Sequence, residues 1–234
     1  DDNLIWNKYL HNNIPHTYNS RTSWSLLKLY KVTDNKTYKN VATSNLKWVL
    51  EQQNSNGWFH NCNFKVGEYP NLHGIAYTIR GLLESYKLTN NEKFLEATLL
   101  TAEKLMKIFE IRKEIPTFWD QNWKSYNKFP MSNKYFKPNF SLSVCLTGYA
   151  QFSIVLMKLY EITGDLRFFN TSLKLVDFLK FQTNIKTSNA NINGALAGSF
   201  PVYGDYSFMS YPNWATKFFL DSLLLQIKCK YKVY

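Results

Sequence analysis

The sequence predicts an all-α protein with the architecture of an incomplete α/α toroid, or barrel, of about seven to eight helices in repeated helical hairpins. Two observations lead to this prediction. Three segments of the chain repeat one pattern of helix, tight turn and helix, and the first helix of a pair is more apolar than the second. A helix that is apolar around its circumference is enclosed by others, whereas an amphipathic helix faces solvent on one side. The alternation therefore indicates an inner and an outer layer of helices.

The three helical repeats begin at Ser23, Ile75 and Gln151. Each contains a polar turn between its two helices. Asn, Asp and Gly are residues that end one helix and cap the next, so these turns predict tight helical hairpins. The turns are Thr33-Asp34-Asn35, Thr89-Asn90-Asn91 and Thr163-Gly164-Asp165.

The two helices of a repeat differ in their apolar patterns. In the second helix of the first repeat, Ala42, Leu46 and Val49 recur at helical spacing with polar residues between them, which predicts an outer helix. In the third repeat, residues 154–162 leave little polar face, which predicts an inner helix. Inner and outer helices therefore alternate along the chain.

The apolar segment from Trp214 to Ile227 predicts a fourth inner helix that lacks an outer partner. The predicted helices are too few for a closed ring of hairpins. We therefore expect a single α/α-toroid domain over residues 1–234, as an incomplete toroid, a smaller barrel, or a fragment or C-terminal domain of a longer protein. The chain opens at Asp1 without an initiator methionine, which agrees with a trimmed chain that relies on a missing N-terminal domain or an oligomeric partner.

The charge balance favours a polyanionic partner. The chain has 28 Lys and Arg residues against 17 Asp and Glu residues, a formal net charge of +11. This charge attracts an acidic polysaccharide, a nucleic acid or an anionic lipid surface. The lysines are scattered and form no recognisable nucleic-acid-binding motif. We therefore predict no nucleic-acid partner and favour an acidic polysaccharide or oligosaccharide. No apolar run approaches the roughly 18 residues of a membrane span.

The cysteines and the motif search exclude several kinds of site. Cys62, Cys145 and Cys229 are far apart and odd in number, which argues against a disulfide framework or a structural zinc site. Unpaired thiols and the lack of a signal segment favour a cytoplasmic location. The chain has no G-x-x-x-x-G-K-[ST], G-x-G-x-x-G, H-E-x-x-H or G-x-S-x-G motif. We therefore predict no metal and no cofactor.

Polar and aromatic residues collect before the predicted inner helices, where the entering loops form the floor and walls of a cleft. His73 is either a buried, hydrogen-bonded histidine or a proton carrier, since an imidazole titrates near neutrality. Arg21 and Arg80 either hold helix ends together or offer a bidentate fork to a carboxylate. Asp205 is either a turn residue or an acid whose carboxyl group is desolvated by the aromatic residues around it.

The candidate catalytic residues combine an imidazole, phenols and a carboxyl group: His73, Tyr77, Asp205, Tyr206 and Tyr211. Tyrosines at such positions are otherwise core or rim aromatics. The candidate substrate-binding residues supply charge, amides and aromatic faces for sugar rings: Tyr18, Arg21, Trp58, Arg80, Gln151, Tyr203, Asn213, Trp214 and Lys217. The segment Trp119 to Trp123 adds further indoles, for which packing within the loop is an equally good explanation.

Three stretches resemble α/α-toroid carbohydrate-active proteins of bacterial surface-polysaccharide gene clusters: LTGYAQFSIVLMKLYEITGDLRFF, NGWF and AGSFPVYGDYSFMSYPNWATKFF. More distantly, residues 148–160 and the closing aromatic helix resemble the helical C-terminal domain of glucuronyl epimerases, which invert carbon five of uronates within a polymer. The β-rich N-terminal region of that family has no counterpart in this chain.

The epimerase resemblance implies three roles. An Arg neutralises the uronate carboxylate, a Tyr or His removes the proton at carbon five, and another Tyr or His acts on the opposite face or at the leaving oxygen. The residues that match these roles are Arg21 or Arg80, His73, and Tyr77, Tyr206 or Tyr211.

We therefore predict an enzyme that processes an acidic, uronate-containing glycan by epimerisation at carbon five or by β-elimination. The first alternative is a glycoside hydrolase of the same toroid class, with Asp205 and either Glu68 or Asp120 as carboxylates some 5 to 10 Å apart. The second alternative is a noncatalytic glycan-binding or assembly module, which binds sugar without forming a product.

Overall fold

The computed structural model describes residues 14–65, 67–126 and 143–233. These residues are predominantly helical and contain seven α-helices. The predicted all-α fold class is confirmed. A short 3-10 helix (Thr17–Asn19) precedes the α-helices, which are α1 (Ser20–Thr33), α2 (Lys36–Glu51), α3 (Leu72–Thr89), α4 (Glu92–Arg112), α5 (Leu146–Thr163), α6 (Leu166–Gln182) and α7 (Asn213–Val233).

The helices follow one another as hairpins, joined by the predicted polar turns. Asp34 ends α1 in the left-handed region with a φ of 56°, and Asn35 caps α2 by accepting a hydrogen bond from the Thr37 N–H at 2.9 Å. Gly164, with a φ of 72°, and Asp165 repeat this arrangement between α5 and α6. These conformations end one helix and start the next, so the predicted hairpin turns are confirmed.

The chain divides into two compact units. The first unit contains the described residues of 1–70, 74–104 and 120–123, and the second contains those of 71–73, 105–119 and 124–234. Helix α3 begins in the second unit and continues in the first, whereas α4 begins in the first and ends in the second.

In the first unit, α1 packs against α2, and the start of α1 lies close to α3. Ser20 Oγ donates a hydrogen bond to the Thr78 carbonyl at 2.9 Å. A methyl group on Gly81 would lie 2.4 Å from the Ser20 carbonyl carbon and 2.6 Å from the Arg21 nitrogen. Glycine is therefore required at position 81, and its contact with the start of α1 places Arg21 beside α3.

Helix α1 differs from the expectation that the first helix of a repeat is enclosed. Its buried residues are Ser20, Ser23 and Leu27, while Val32 is 85% exposed. Charged side chains such as Lys28 occupy the remaining face and keep it in solvent. The enclosed character of α5 does not extend to α1 because α1 carries this polar face.

In the second unit, α5 packs against α6 and α7. Residues 146–157 of α5 are all buried, as expected for an inner helix. The hydroxyl oxygen of the buried Tyr149 accepts a hydrogen bond from the Ile115 N–H at 2.7 Å. Helix α7 continues beyond the predicted end at Ile227, because the lysine-rich residues that follow favour helix.

Among the residues that the structure describes, three antiparallel pairs of two-residue strands accompany the helices of the second unit. The pair of β3 (Val144–Cys145) and β6 (Ser199–Phe200) has the register Val144 to Phe200 and Cys145 to Ser199. Strand β3 leads directly into α5, and β6 leads into the loop 201–212 before α7, so this pair brings the loop to the start of α5. The strands are β1 (Phe118–Trp119), β2 (Ser125–Tyr126), β3 (Val144–Cys145), β4 (Thr183–Asn184), β5 (Ala195–Leu196) and β6 (Ser199–Phe200), paired as β1 with β2, β3 with β6 and β4 with β5.

None of the helices in the described part of the chain combines the length and the hydropathy of a membrane span. Over the same residues, no group of three or more His, Cys, Asp or Glu side chains could hold a metal ion.

Candidate functional site

The second unit brings three predicted site residues together: His73, Tyr206 and Trp214, which we call the His-Tyr-Trp cluster. The Tyr206 hydroxyl lies 2.9 Å from His73 Nδ1, and Trp214 Nε1 donates to the same hydroxyl at 3.1 Å. The rings of His73 and Tyr206 stack with centroids 5.5 Å apart. The Phe218 ring meets the His73 ring edge-on, with centroids 6.3 Å apart. This hydrogen bond and these two ring contacts help to hold the imidazole in place.

Backbone contacts at the start of α3 position His73. The Leu72 N–H donates to the Thr117 carbonyl at 2.9 Å. Cys145 Sγ accepts hydrogen bonds from the backbone N–H groups of His73 and Gly148, the latter at 3.2 Å. His73 is 7% exposed, so the surrounding packing also restricts its ring.

The loop before α7 positions Tyr206 through its two neighbours. The Asp205 N–H donates to Ser143 Oγ at 3.3 Å, and the Ser207 N–H donates to Ser199 Oγ at 3.0 Å. Asp205 is half-buried. Serine side chains thus hold the main chain on either side of the phenol.

The His-Tyr-Trp cluster can transfer a proton. An indole N–H is only a donor, so the Tyr206 oxygen accepts from Trp214. In the tautomer that protonates His73 at Nε2, the phenol donates its own proton to Nδ1. If that proton passes to the imidazole, the phenolate oxygen accepts hydrogen bonds from both neighbours, which stabilise its charge. The arrangement suits Tyr206 as a base and His73 as the group that receives its proton.

Gln151 is the most deeply buried of the predicted binding residues in the second unit. It is 2% exposed, and neither polar atom of its amide has a hydrogen-bond partner among the described residues. The hydroxyl of the buried Thr147, one turn earlier on α5, has none there either. Both side chains can therefore make further hydrogen bonds on this face of α5.

Lys217 contacts the cluster through Phe218. Its ammonium nitrogen lies 4.5 Å from the centre of the Phe218 ring, which in turn meets His73. Lys217 also forms an ion pair with an aspartate one turn further along α7. The other predicted residues of this unit are half-buried or exposed around the loop before α7 and the start of that helix: Tyr203, Tyr211 and Asn213.

The thiols give a direct test of the packing around the site. Burial raises the pKa of Cys145 to about 12, although backbone N–H groups that face the sulfur lower it. Burial also raises the pKa of Cys62 to about 11, and Cys229 is buried as well. Because the thiolate is the reactive form, we expect iodoacetamide at pH 8 to leave the native protein unlabelled and to label all three cysteines in urea. Mass spectrometry counts the labels, and native labelling at the rate of the unfolded chain contradicts this packing.

In the first unit, Arg21 lies over two aromatic rings. Its guanidinium carbon is 4.6 Å from the centre of the Tyr77 ring and 5.3 Å from that of Trp24. Arg80 lies 5.9 Å from the Trp24 ring and donates from Nε to Glu84 Oε1 at 2.8 Å. The structure therefore brings the predicted residues Arg21, Tyr77 and Arg80 together around Trp24, which was not predicted.

Tyr18, also in the first unit, has a packed environment. Its ring stacks on His16 with centroids 4.7 Å apart and lies 5.2 Å from the Phe64 ring. Burial raises the pKa of Tyr18. The Tyr18 phenol therefore stays protonated near neutral pH, and its role in substrate binding stays a prediction.

A cavity of about 290 Å³, which we call the Trp58 cavity, lies in the first unit. Glu68 and Asp120, the carboxylates considered for a hydrolase, both line it, whereas Asp205 belongs to the second unit. The remaining lining residues are four amides, a tyrosine and a proline: Asn61, Asn63, Gln121, Asn122, Tyr69 and Pro70.

Several of these residues were not predicted from the sequence. The side-chain amides that line the cavity lie in the same loops as the predicted indoles, and their density is a signal that the sequence contains. Trp119 and Trp123 are 0% and 7% exposed and pack inside, so they present no open face to a sugar. Phe218 gave no signal, because an apolar residue on a predicted inner helix is expected in any core.

No protein-family model and no curated protein sequence matches the chain. Solved structures do match. A D-mannose isomerase matches 91% of this chain with a TM-score of 0.68 at 13% identity. A GH76 α-mannanase from Bacteroides thetaiotaomicron matches 91% with a TM-score of 0.63 at 15% identity, and a sugar epimerase from a ruminal bacterium matches 91% with a TM-score of 0.59 at 13% identity.

The similar structures are six-hairpin, α/α-toroid carbohydrate-active enzymes, which confirms the predicted resemblance at the level of the fold. The chain spans 55% of the length of the isomerase and of the mannanase, and 57% of the epimerase. At these identities the similarity establishes the architecture and does not extend to the chemistry.

Proposed function

We propose that the protein is a carbohydrate-processing enzyme that acts on a uronate-containing glycan, by epimerisation at carbon five or by β-elimination. The observation that carries the proposal is the 2.9 Å contact between the Tyr206 hydroxyl and His73 Nδ1, to which Trp214 adds a second hydrogen bond. The fold supports a sugar substrate, since the similar structures are enzymes of sugars and polysaccharides. The net charge of +11 supports an acidic one.

Both reactions begin with removal of the proton at carbon five. As the carbon–hydrogen bond breaks, Tyr206 takes that proton and passes its own proton to His73 Nδ1. The electron pair moves into the carboxylate, which becomes a doubly charged enediolate, while the imidazole becomes an imidazolium. Charge is conserved, and the hydrogen bond between the two side chains is kept throughout.

The two reactions differ in what happens to the enediolate. In epimerisation, a phenol on the opposite face returns a proton to carbon five, a role we assign to Tyr211. That phenolate and the imidazolium of His73 then recover their starting states by exchange with solvent. In β-elimination, the bond between carbon four and its glycosidic oxygen breaks, a double bond forms between carbons four and five, and the imidazolium protonates the leaving oxygen.

The doubly charged intermediate needs a cation. We assign this role to Lys217, because its ammonium group contacts Phe218 and that ring contacts His73. The arginines of the first unit, Arg21 and Arg80, are the candidates for binding further acidic units of the polymer. Gln151 and Tyr203 are the candidates for hydrogen bonds to sugar hydroxyls.

A glycoside hydrolase is the second candidate function, and one observation favours it. Glu68 and Asp120 line the same cavity as Trp58 and Tyr69, so two carboxylates and two aromatic side chains occur together. A pair of carboxylates is the usual machinery of glycoside hydrolysis. A noncatalytic glycan-binding module is the outcome if no product forms.

The proposal is tested with a panel of acidic and neutral polysaccharides. One incubation follows three signals: deuterium from solvent entering carbon five, absorbance of unsaturated uronate, and reducing ends. We expect deuterium or absorbance with acidic polymers alone, weakening as salt screens the basic surface. Reducing ends without absorbance support the hydrolase instead, and binding without any of the three signals supports the noncatalytic module.

A further inference from the structure

The Trp58 cavity is a formed recess built from two loops of the first unit. Trp123 donates from Nε1 to the Asn56 carbonyl at 3.0 Å, and Asn56 Nδ2 donates to the Gln121 carbonyl at 2.8 Å. These two hydrogen bonds run in opposite directions between the same loops and tie them together. The cavity is therefore held by side-chain contacts to main-chain atoms rather than by loop conformation alone.

The loop that carries Asn56 and Trp58 is anchored to α4. Gly57 has a φ of 86°, and a methyl group there would lie 3.0 Å from the Leu100 carbonyl oxygen. Thr101 Oγ1 donates to the Gly57 carbonyl at 2.6 Å. The turn that carries Trp58 thus lies directly on the helix backbone, and Trp58 itself is 8% exposed. A site with such rigid walls needs little reorganisation on binding.

The lining has the composition of a sugar site. Amides donate to and accept from hydroxyl groups, and an aromatic ring packs on the apolar face of a pyranose. Tyr69 is 43% exposed, which leaves its ring accessible for such packing. The volume of about 290 Å³ lies at the lower end of small-molecule sites, which suits one or two sugar rings.

The charge of the lining selects the kind of sugar. Glu68 and Asp120 are acidic, and none of the lining residues that the structure describes is a lysine or an arginine. Carboxylates repel a uronate and attract an ammonium group. This preference is opposite to that of the protein as a whole, whose net charge is +11.

We propose that the Trp58 cavity binds a sugar unit that carries no negative charge, and that it binds a protonated amino sugar more tightly than the N-acetylated form. This inference rests on the proposed function in one respect, because both take a glycan as the ligand. It extends that function by assigning a second binding site with a chemistry distinct from the uronate chemistry of the His-Tyr-Trp cluster.

Isothermal titration calorimetry of the whole chain tests the site with three probes: a glucosamine trisaccharide, its N-acetylated counterpart and trigalacturonate. We expect the glucosamine trisaccharide to bind about tenfold more tightly than the N-acetylated one. Asp120→Asn should reduce that preference to about threefold or less, because the amide keeps the oxygen that accepts from the Asn122 N–H at 2.9 Å but loses the charge. Tyr69→Ala should weaken both probes about fivefold or more by removing the packing face.

Asp34→Asn is the matched control, because it removes the same charge from the first unit at an exposed left-handed position that asparagine tolerates. It should leave all three affinities unchanged. Equal losses of the preference in Asp34→Asn and Asp120→Asn overturn the proposal, as does weaker binding of trigalacturonate by Asp120→Asn than by the unsubstituted chain.

Solvent deuterium exchange in the same preparations separates this inference from the proposed function. Exchange into a uronate polymer without binding of either amino-sugar probe overturns the cavity assignment alone. Binding with the expected preference and no reaction on any uronate polymer supports the cavity and overturns the proposed function.

Discussion

Tyr206→Phe is expected to lower the turnover of a uronate polymer by about 10²- to 10⁴-fold, the usual contribution of a positioned acid or base. The substitution removes one oxygen atom and keeps the ring that stacks on His73. It therefore deletes the group that receives the proton while preserving the shape of the site. The rate of deuterium entry into carbon five, measured at saturating substrate, reports this step directly. The free energy of unfolding in urea should fall by about 2 kcal/mol at most, because the hydroxyl makes two neutral hydrogen bonds that contribute about 1 kcal/mol each.

The matched control is Tyr160→Phe, which removes a phenolic oxygen from the same unit. Tyr160 is half-buried and stacks on Phe169 with centroids 5.1 Å apart. The Tyr160→Phe variant should retain full turnover. Turnover by Tyr206→Phe equal to that of this control would falsify the assignment of Tyr206 as the base.

Gly148→Ala is expected to destabilise the protein by about 1–3 kcal/mol, although alanine favours helix, because the added methyl group overpacks the core. The methyl carbon would lie 2.8 Å from Leu72 Cγ and 3.0 Å from the His73 backbone nitrogen. Leu72 is fully buried, so it cannot move into solvent. The start of α3 must shift, and turnover should fall about tenfold or more as the imidazole leaves its position. The free energy of unfolding in urea and the deuterium rate measure the two effects.

Gly164→Ala provides the comparison, since it adds the same methyl group at the other end of α5. Gly164 has a φ of 72° and nothing within 4 Å of the added carbon. Gly164→Ala should lower the free energy of unfolding by about 1 kcal/mol through backbone strain, with turnover unchanged. If both variants lose equal stability and Gly148→Ala keeps its turnover, the close contact at Gly148 does not position His73.

Local signals explain how much of the fold could be predicted. The hairpin turns could be predicted because a residue such as Asn35 or Gly164 caps or ends a helix through its immediate neighbours in the chain. The enclosed helix α5 was readable from its continuous apolar character. The exposed face of α1 was not predicted, because α1 carries polar and charged residues where the more apolar α5 does not.

The site could be predicted as a set of residue types but not as an arrangement. His73, Tyr206 and Trp214 were all candidates, yet the hydrogen bond from Tyr206 to His73 spans 133 positions in the chain. Nothing in one sequence specifies which of several tyrosines meets the imidazole. The role of Cys145 was hidden for a related reason, because its sulfur acts on main-chain N–H groups and leaves no pattern of side-chain types.

The anchoring of the His-Tyr-Trp cluster bears on how such a site diversifies. The segments that carry Tyr206 and His73 are held through their own main-chain N–H groups. These groups donate hydrogen bonds to the side chains of Ser143, Ser199 and Cys145. Main-chain groups are the same whichever side chain they carry. A substitution at either position therefore leaves its anchor in place, and the side chain can change without a change in the loop that carries it. In a scaffold of this kind the backbone geometry of the site persists while its side chains change. One architecture can therefore host unrelated reactions.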